Sequence, residues 1–212
     1  MWWNMAPEMK SEFEDWHSHE HFPERLGIPG FLRSSRWTSA DGGEGVFVIY
    51  ELEGHEVLSS PGYLARLNDP TPWSRKLMPF HKDMVRCQSH VLASHGSLTA
   101  RCAMTIRLAS GPDDAGRVAA LSAIAGGLTE RPGLTGAHLL RHETPAIAQT
   151  TEQKIRATPD QFADYVLVVT AYDATVLRAL EADLLADEAL ALAGAARGIY
   201  SLSHSAVATD VR

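Results

Sequence analysis

Three histidines and two glutamates stand within eight residues, His17 to Glu24, in a chain of 212 residues that holds ten histidines. Imidazole is the side chain best suited to take and return a proton near neutral pH, and a neighbouring carboxylate can fix which ring nitrogen carries it. On a helix, His17 and His21 stand one turn apart on the same side. With Phe13 and Trp16 marking the buried stripe, Glu20 falls in its middle and His17 and His21 along its edge. The spacing therefore predicts His17 and Glu20 beneath the helix, His21 at the rim and His19 in solvent. A carboxylate on an apolar face is costly unless paired. Either Glu20 pairs with Arg36, Arg33 or Arg25 or caps a backbone amide, or it orients an imidazole that works as general acid and base. His17, His21 and Glu20 also have the types of a metal-ligand set, but the remaining ligands would have to come from His81, His90 or His95, far along the chain.

Strand alternation supplies candidate walls for a pocket. Tyr50 can offer a phenol and Arg36 a guanidinium to a substrate oxygen, while Trp3, Trp16, Trp37 and Trp73 can give flat apolar surfaces. Any one of these aromatics can equally be plain core. His90 is the remote residue best placed to join the histidine cluster. A haem would need one axial imidazole from His138, His142 or His204. His138 and His142 share a strand face, whereas His204 lies on the last strand, so the three should not converge. No dinucleotide fingerprint, phosphate loop or Gly-x-Ser-x-Gly elbow is present. Cys87 and Cys102 are far apart and strand-like, which suits buried thiols rather than a redox pair.

The elements that must position these residues read as two copies of one unit. A short strand near Trp2–Met5 precedes the histidine helix. Pro29-Gly30-Phe31 opens a strand, the Gly-rich turn Asp41–Gly45 joins it to Val46–Leu52, and a helical stretch and a fourth strand follow. In the second half a strand near Cys102–Ala109 is followed by a helix over Asp114–Leu128. Pro132-Gly133-Leu134 then opens another strand, Tyr165–Ala171 is the next, Ala174–Ala193 reads as one Ala/Leu-rich helix that Gly194 ends, and a last strand closes the half. Val57-Leu58 and Val176-Leu177 follow the third strand of each half at matching places. Ser60-Pro61 and Thr71-Pro72 read as caps of two short helices with a turn at Asn68-Asp69-Pro70. Each half is thus β-α-β-β-α-β, the ferredoxin-like order. The expected units are residues 1–95 and 98–212, with Ser94–Ser97 as linker. The third strand of each half is apolar on both faces, so its second face must pack against something. Two sheets meeting face to face with helices outside, a fused pseudo-dimeric α+β barrel, would satisfy that within one chain.

Composition excludes other classes. Apolar residues make up 45% and charged residues 21%, as in a folded globular chain rather than a disordered one. The formal net charge of −7 and the lack of a Lys/Arg cluster argue against nucleic acid and anionic membranes as partners. No apolar run is long enough to span a bilayer. The start lacks the pattern of a secretory signal, and two cysteines suit a reducing compartment, so a cytoplasmic location is expected.

The run Glu12-Phe13-Glu14-Asp15-Trp16-His17-Ser18-His19-Glu20-His21-Phe22-Pro23-Glu24-Arg25-Leu26, then Ile28-Pro29-Gly30-Phe31 and Asn68–Ser74, resembles the dimeric α+β barrel superfamily, and within it the EthD-like bacterial branch. His17 departs from that pattern, which often has an aromatic there. The resemblance implies an α+β barrel that is either a pseudo-dimeric monomer or a homodimer. It implies a small-molecule enzyme, such as an isomerase, lyase/cyclase or monooxygenase, working without an organic cofactor on a small apolar carbonyl, lactone or phenol. In this reading His17 and His21 move protons, Glu20 sets the tautomer, and Tyr50 or Arg36 polarises an oxygen, while Trp3, Trp16, Trp37, Trp73 and His90 contact substrate. A non-catalytic ligand- or partner-binding barrel is the alternative, and a haem- or metal-binding member a further one.

Overall fold

The structure is a computed structural model, and it describes residues 1–156, 161–190, 192 and 194–211. Nine strands form one antiparallel sheet: β1 (Trp2–Met5), β2 (Phe31–Ser39), β3 (Gly45–Leu52), β4 (His81–Val85), β5 (Ser89–Gly96), β6 (Cys102–Leu108), β7 (Leu134–His142), β8 (Tyr165–Ala171) and β9 (Ala196–Val207). Their order is β4-β1-β3-β2-β9-β6-β8-β7-β5. The helices are α1 (Lys10–Trp16), α2 (Phe22–Leu26), α3 (Pro61–Asn68), α4 (Pro72–Leu77), α5 (Asp114–Leu128), α6 (Thr151–Arg156) and α7 (Ala174–Ala186). The fold class is therefore α+β, with the helices packed on an antiparallel sheet.

The first four strands follow the order fourth-first-third-second, and β6 to β9 follow the same order. β9 serves both halves, pairing with β6 through Ala196–Ser201 and with β2 through Tyr200–Val207. The ladder ends at β4 and β5, and among the described residues no strand pairing joins the two. Only Arg86–Gln88 separates them in the chain. The expected linker is partly strand, because Ser94, His95 and Gly96 pair with His138, Ala137 and Gly136. Backbone amides at a sheet margin gain hydrogen bonds by joining it, which outweighs the turn-like composition of this stretch.

Alternation assigns the two faces. Val46 and Val48 pack with Phe13, Trp16 and Phe22 under α1 and α2, whereas Phe47 joins Trp2, Trp37, Val166 and Val168 on the other face. In the second half Leu167 and Val169 face α5 and α7. The central cluster thus takes residues from both halves, which explains why β3 and β8 carry apolar residues on both sides. The Trp2 indole N–H crosses the junction to Thr105 Oγ1 at 3.1 Å.

Caps place the short helices as expected. Ser60 Oγ accepts from the Tyr63 amide and Thr71 Oγ1 from the Ser74 amide. The helix over the last stretch ends earlier than expected, at Ala186, with a 3₁₀ turn at Glu188–Leu190 beyond it. The expected end at Ala193, and Arg212 at the close of the expected second unit, lie outside the described residues. No helix among those described is long and apolar enough to cross a membrane.

Candidate active site

The helix carrying the histidines is not uniform. Between α1 and α2 it makes a π turn over His17–His21, closed by the Phe22 amide donating to the His17 carbonyl five residues back. The wider turn advances less per residue than an α-helix and changes the phase of everything in it. His17 and His21 remain buried and stack, with ring centroids 5.3 Å apart. His19 is exposed as expected, its Nδ1–H donating to the Asp15 carbonyl at 3.0 Å. Glu20 is carried off the buried stripe. It accepts from the Trp16 indole N–H at 3.1 Å and from the Thr71 hydroxyl, so it ties α1 to the cap of α4. It meets neither an arginine nor a backbone amide, and His17, His21 and Glu20 form no ligand set.

Beneath the π turn lies a cavity of about 590 Å³. That is the size of a site for a small organic molecule, usually about 300–1,000 Å³. Trp3, Trp16, His17, His21, Tyr50 and His81 line one end. Four buried polar atoms among them lack a hydrogen-bond partner: Trp3 Nε1, His17 Nδ1, His21 Nδ1 and the Tyr50 hydroxyl. Such atoms are rare in folded proteins, because each forfeits the hydrogen bonds it made to water. Burial, reinforced by His21, Arg36 and His81, holds the His17 pKa well below its ordinary value. Burial and then Arg25 do the same to His21. Burial pushes the Tyr50 phenol upward, so both imidazoles and the phenol are neutral.

His81, which the sequence offered only as a distant further ligand for a metal at His17 and His21, lines the same end of the cavity. Its Nδ1 lies 3.1 Å from the Leu77 carbonyl and 3.2 Å from that of Met78. Both partners are acceptors, so Nδ1 bears the hydrogen and Nε2 is a bare lone pair. Burial lowers the His81 pKa to about 4. The fourth strand of a ferredoxin-like unit lies beside the first, and His81 opens β4 opposite Met5. That pairing is the signal by which it could have been found. Arg25 was likewise seen only as a partner for Glu20. It is 3% exposed and bonds Glu152 Oε1 at 2.6 Å. Burial opposes its charge, but Glu152 and its other neighbours hold its pKa above the ordinary value.

The remaining candidates separate. Arg36 shares the helix-facing side of the sheet but does not line the cavity; it donates to the Glu14 carbonyl at 3.2 Å and lies over the Phe13 ring. Trp37 points to the opposite face because it is odd where Arg36 is even. It sits fully buried in the central core and donates to the Ala100 carbonyl. Trp73 lies outside the cavity on α4, donating to Glu12. His90 does not join His17 and His21; β5 carries it to the far mouth of the cavity, where it stacks on His55. His138 lines the far end, with Nδ1 2.8 Å from Ser94 Oγ and Nε2 unpartnered. His142 bonds Gln88 and Thr144, while His204 stacks on Phe22 of α2, so these three do not converge.

No protein-family model matches the chain, and no curated protein matches it. Solved structures do resemble it in fold. An anthrone oxidase-like protein is similar over 98% of this chain and 91% of its own, with a TM-score of 0.63 and 16% identity. A candidate monooxygenase from Fusobacterium nucleatum is similar over 97% and 91%, with a TM-score of 0.60 and 8% identity. A haem-degrading enzyme from Listeria monocytogenes is similar over 96% and 98%, with a TM-score of 0.51 and 8% identity. At these identities the likeness is one of fold alone.

Proposed function

We propose that this protein is a small-molecule enzyme that binds an apolar phenol, lactone or carbonyl compound beneath the π turn and moves a proton on it without an organic cofactor. The observation that carries the reading is the set of four buried polar atoms without a hydrogen bond around one cavity, His21 Nδ1 having Glu24 Oε2 at 3.8 Å as its nearest carboxylate. A ligand with an oxygen and an acidic C–H or O–H meets them: the Tyr50 hydroxyl donates to the ligand oxygen, and His81 Nε2 accepts the proton. His17 and His21, neutral and stacked beside it, hold the second polar edge of the ligand. The product of the step is an enolate or phenolate next to an imidazolium. In a dry cavity the two charges stabilise each other, which offsets the low pKa that burial imposes on His81. Trp3 and Trp16 supply the flat apolar walls. Glu20 sets the position of Trp16 rather than a histidine tautomer, and Arg36 holds α1 in place.

The shared fold of monooxygenase-like proteins supports an enzyme over a plain binding module. It extends to no reaction, because one fold hosts many chemistries. The EthD-like resemblance of residues 12–80 supports the same assignment. The matching strand orders of the two halves support a fused pair of ferredoxin-like units, residues 1–95 and 98–212, acting as a pseudo-dimeric barrel. In this reading the chain crossing at Arg86–Gln88 closes the wall that the sheet leaves open. If haem bound instead, His138 is the imidazole placed to hold it, and a Soret band from the purified protein would favour that reading.

The test is exchange of the acidic methylene protons of anthrone for deuterium, followed by NMR. The wild type is expected to accelerate the exchange, and His81→Phe and Tyr50→Phe to lose at least about a hundredfold of it, the lower end of what a general acid or base contributes. Exchange that is no faster than in buffer, or that is equal in both variants, overturns the reading.

A further inference from the structure

At the far mouth of the cavity a second polar cluster lies apart from the histidines under the π turn. His55 follows β3, His90 stands on β5 and Glu143 follows β7. Three separate segments therefore bring two imidazoles and a carboxylate together. One candidate ligand atom from each lies within 4.8 Å of the others, and these are the residues among those described that meet this condition. The His90 Nε2 is 3.3 Å from Glu143 Oε2. His55 and His90 stack with centroids 4.3 Å apart.

We infer that His55, His90 and Glu143 form a site for a divalent first-row transition metal ion at the cavity mouth. Two imidazoles and a carboxylate are a donor set that zinc and iron(II) accept, whereas magnesium and calcium prefer oxygen alone. The tautomer of one ligand is already set. His55 Nε2 is 2.8 Å from the Glu143 carbonyl oxygen, so it carries the hydrogen and leaves Nδ1 bare. A metal-binding imidazole is commonly held in this way, its other nitrogen donating to a backbone carbonyl. The stacked rings carry their nitrogens side by side, so capture of the ion turns them out of the stack. Both rings are only partly buried, which leaves room for that rotation. Arg141 lies 4.0 Å from Glu143 Oε2 and yields that oxygen to the ion. Three protein ligands leave a fourth position open, and His55 and His90 both line the cavity. The site stands independently of the proton chemistry proposed above.

The experiment is calorimetric titration of the chelator-treated, full-length protein with zinc chloride, with magnesium chloride as control. The expected result is one zinc per chain and no heat from magnesium. His55→Ala and His90→Ala should each weaken zinc at least about tenfold, while His17→Ala/His21→Ala leaves it unchanged. Cobalt(II) should give visible bands in the wild type that disappear in His90→Ala, and circular dichroism confirms that the variants are folded. Absence of zinc binding, binding equal in His90→Ala, or loss confined to the His17/His21 variant overturns the site.

Discussion

The surroundings of His17 are aromatic: Phe22 at 4.2 Å and Phe13 at 5.1 Å between ring centroids. An unpartnered buried nitrogen in such a place lowers stability by about 1–3 kcal/mol relative to a filled, apolar alternative. His17→Phe should therefore melt at the same temperature as the wild type or higher while losing ligand binding, measured by calorimetric melting and titration together. A lower melting temperature would mean that the imidazole has a structural partner. The three buried histidines also predict how stability depends on pH. Each is neutral when folded and has an ordinary pKa near 6.5 when unfolded. As pH falls below that value the unfolded chain takes up protons that the folded chain refuses, until His81 titrates at about 4. The folded state should lose up to about 1.4 kcal/mol per pH unit for each such histidine, whereas above pH 7 these residues add no slope. Melting curves between pH 4 and 8 check the sign, and a flat profile below pH 6 would contradict the neutral cluster.

At the scale of elements, the histidine segment was legible in composition but not in phase. The pattern Phe13, Trp16 and His17 gave the buried side and His19 the exposed one, whereas His21, expected at the rim, is buried. Glu20 failed because a π turn carries no residue signature, so an even α-helical winding was the only one that spacing could supply. Trp37 failed for a different reason: a strand residue has two faces, and which one meets a ligand depends on the partner sheet. His81 was hidden by sequence distance, though its strand pairing was implicit in the ferredoxin-like order. Helix α6 was not anticipated at all, yet it carries Glu152, the partner of Arg25. Removing that carboxylate leaves the buried guanidinium with Glu24, 3.3 Å away, as its remaining carboxylate among the described residues. Glu152→Ala should destabilise the fold by about 3 kcal/mol, near the low end for breaking a buried pair. Replacing both residues with leucine should recover much of the loss, a comparison that chemical denaturation reads directly.

Across the whole molecule, the halves repeat one device that the sequence displayed as two Pro-Gly pairs and two Val-Leu pairs. Gly30 has φ +93° and Gly133 φ +86°, both in the left-handed region. A Cβ on Gly30 would meet Val57 Cγ2 at 2.5 Å, and one on Gly133 would meet Val176 Cγ2 at 2.9 Å. The Gly30 carbonyl accepts from Glu53 and the Gly133 carbonyl from Tyr172, at the same point after the third strand. This agreement supports the duplicated architecture proposed above, and it explains why the turns were readable while the cavity was not. Turn chemistry is local, whereas the cavity arises only where both halves and the crossing at Arg86–Gln88 meet. Gly30→Ala and Gly133→Ala should each cost about 1–3 kcal/mol in denaturant unfolding, from backbone strain alone. Adding Val57→Ala or Val176→Ala should relieve the clash but not the strain. Costs that differ widely between the halves would speak against equivalent turns.

The central claim is that the unpartnered groups under the π turn await a small oxygen-bearing ligand, and the most direct measurement is calorimetric titration with 1-naphthol. One molecule should bind per wild-type chain, and Tyr50→Phe, which removes the hydroxyl that donates to the ligand oxygen, should bind at least about tenfold more weakly, the loss of roughly one charge-free hydrogen bond, with its melting temperature undiminished. Equal affinity in the two proteins, or no binding to the wild type, would contradict the account.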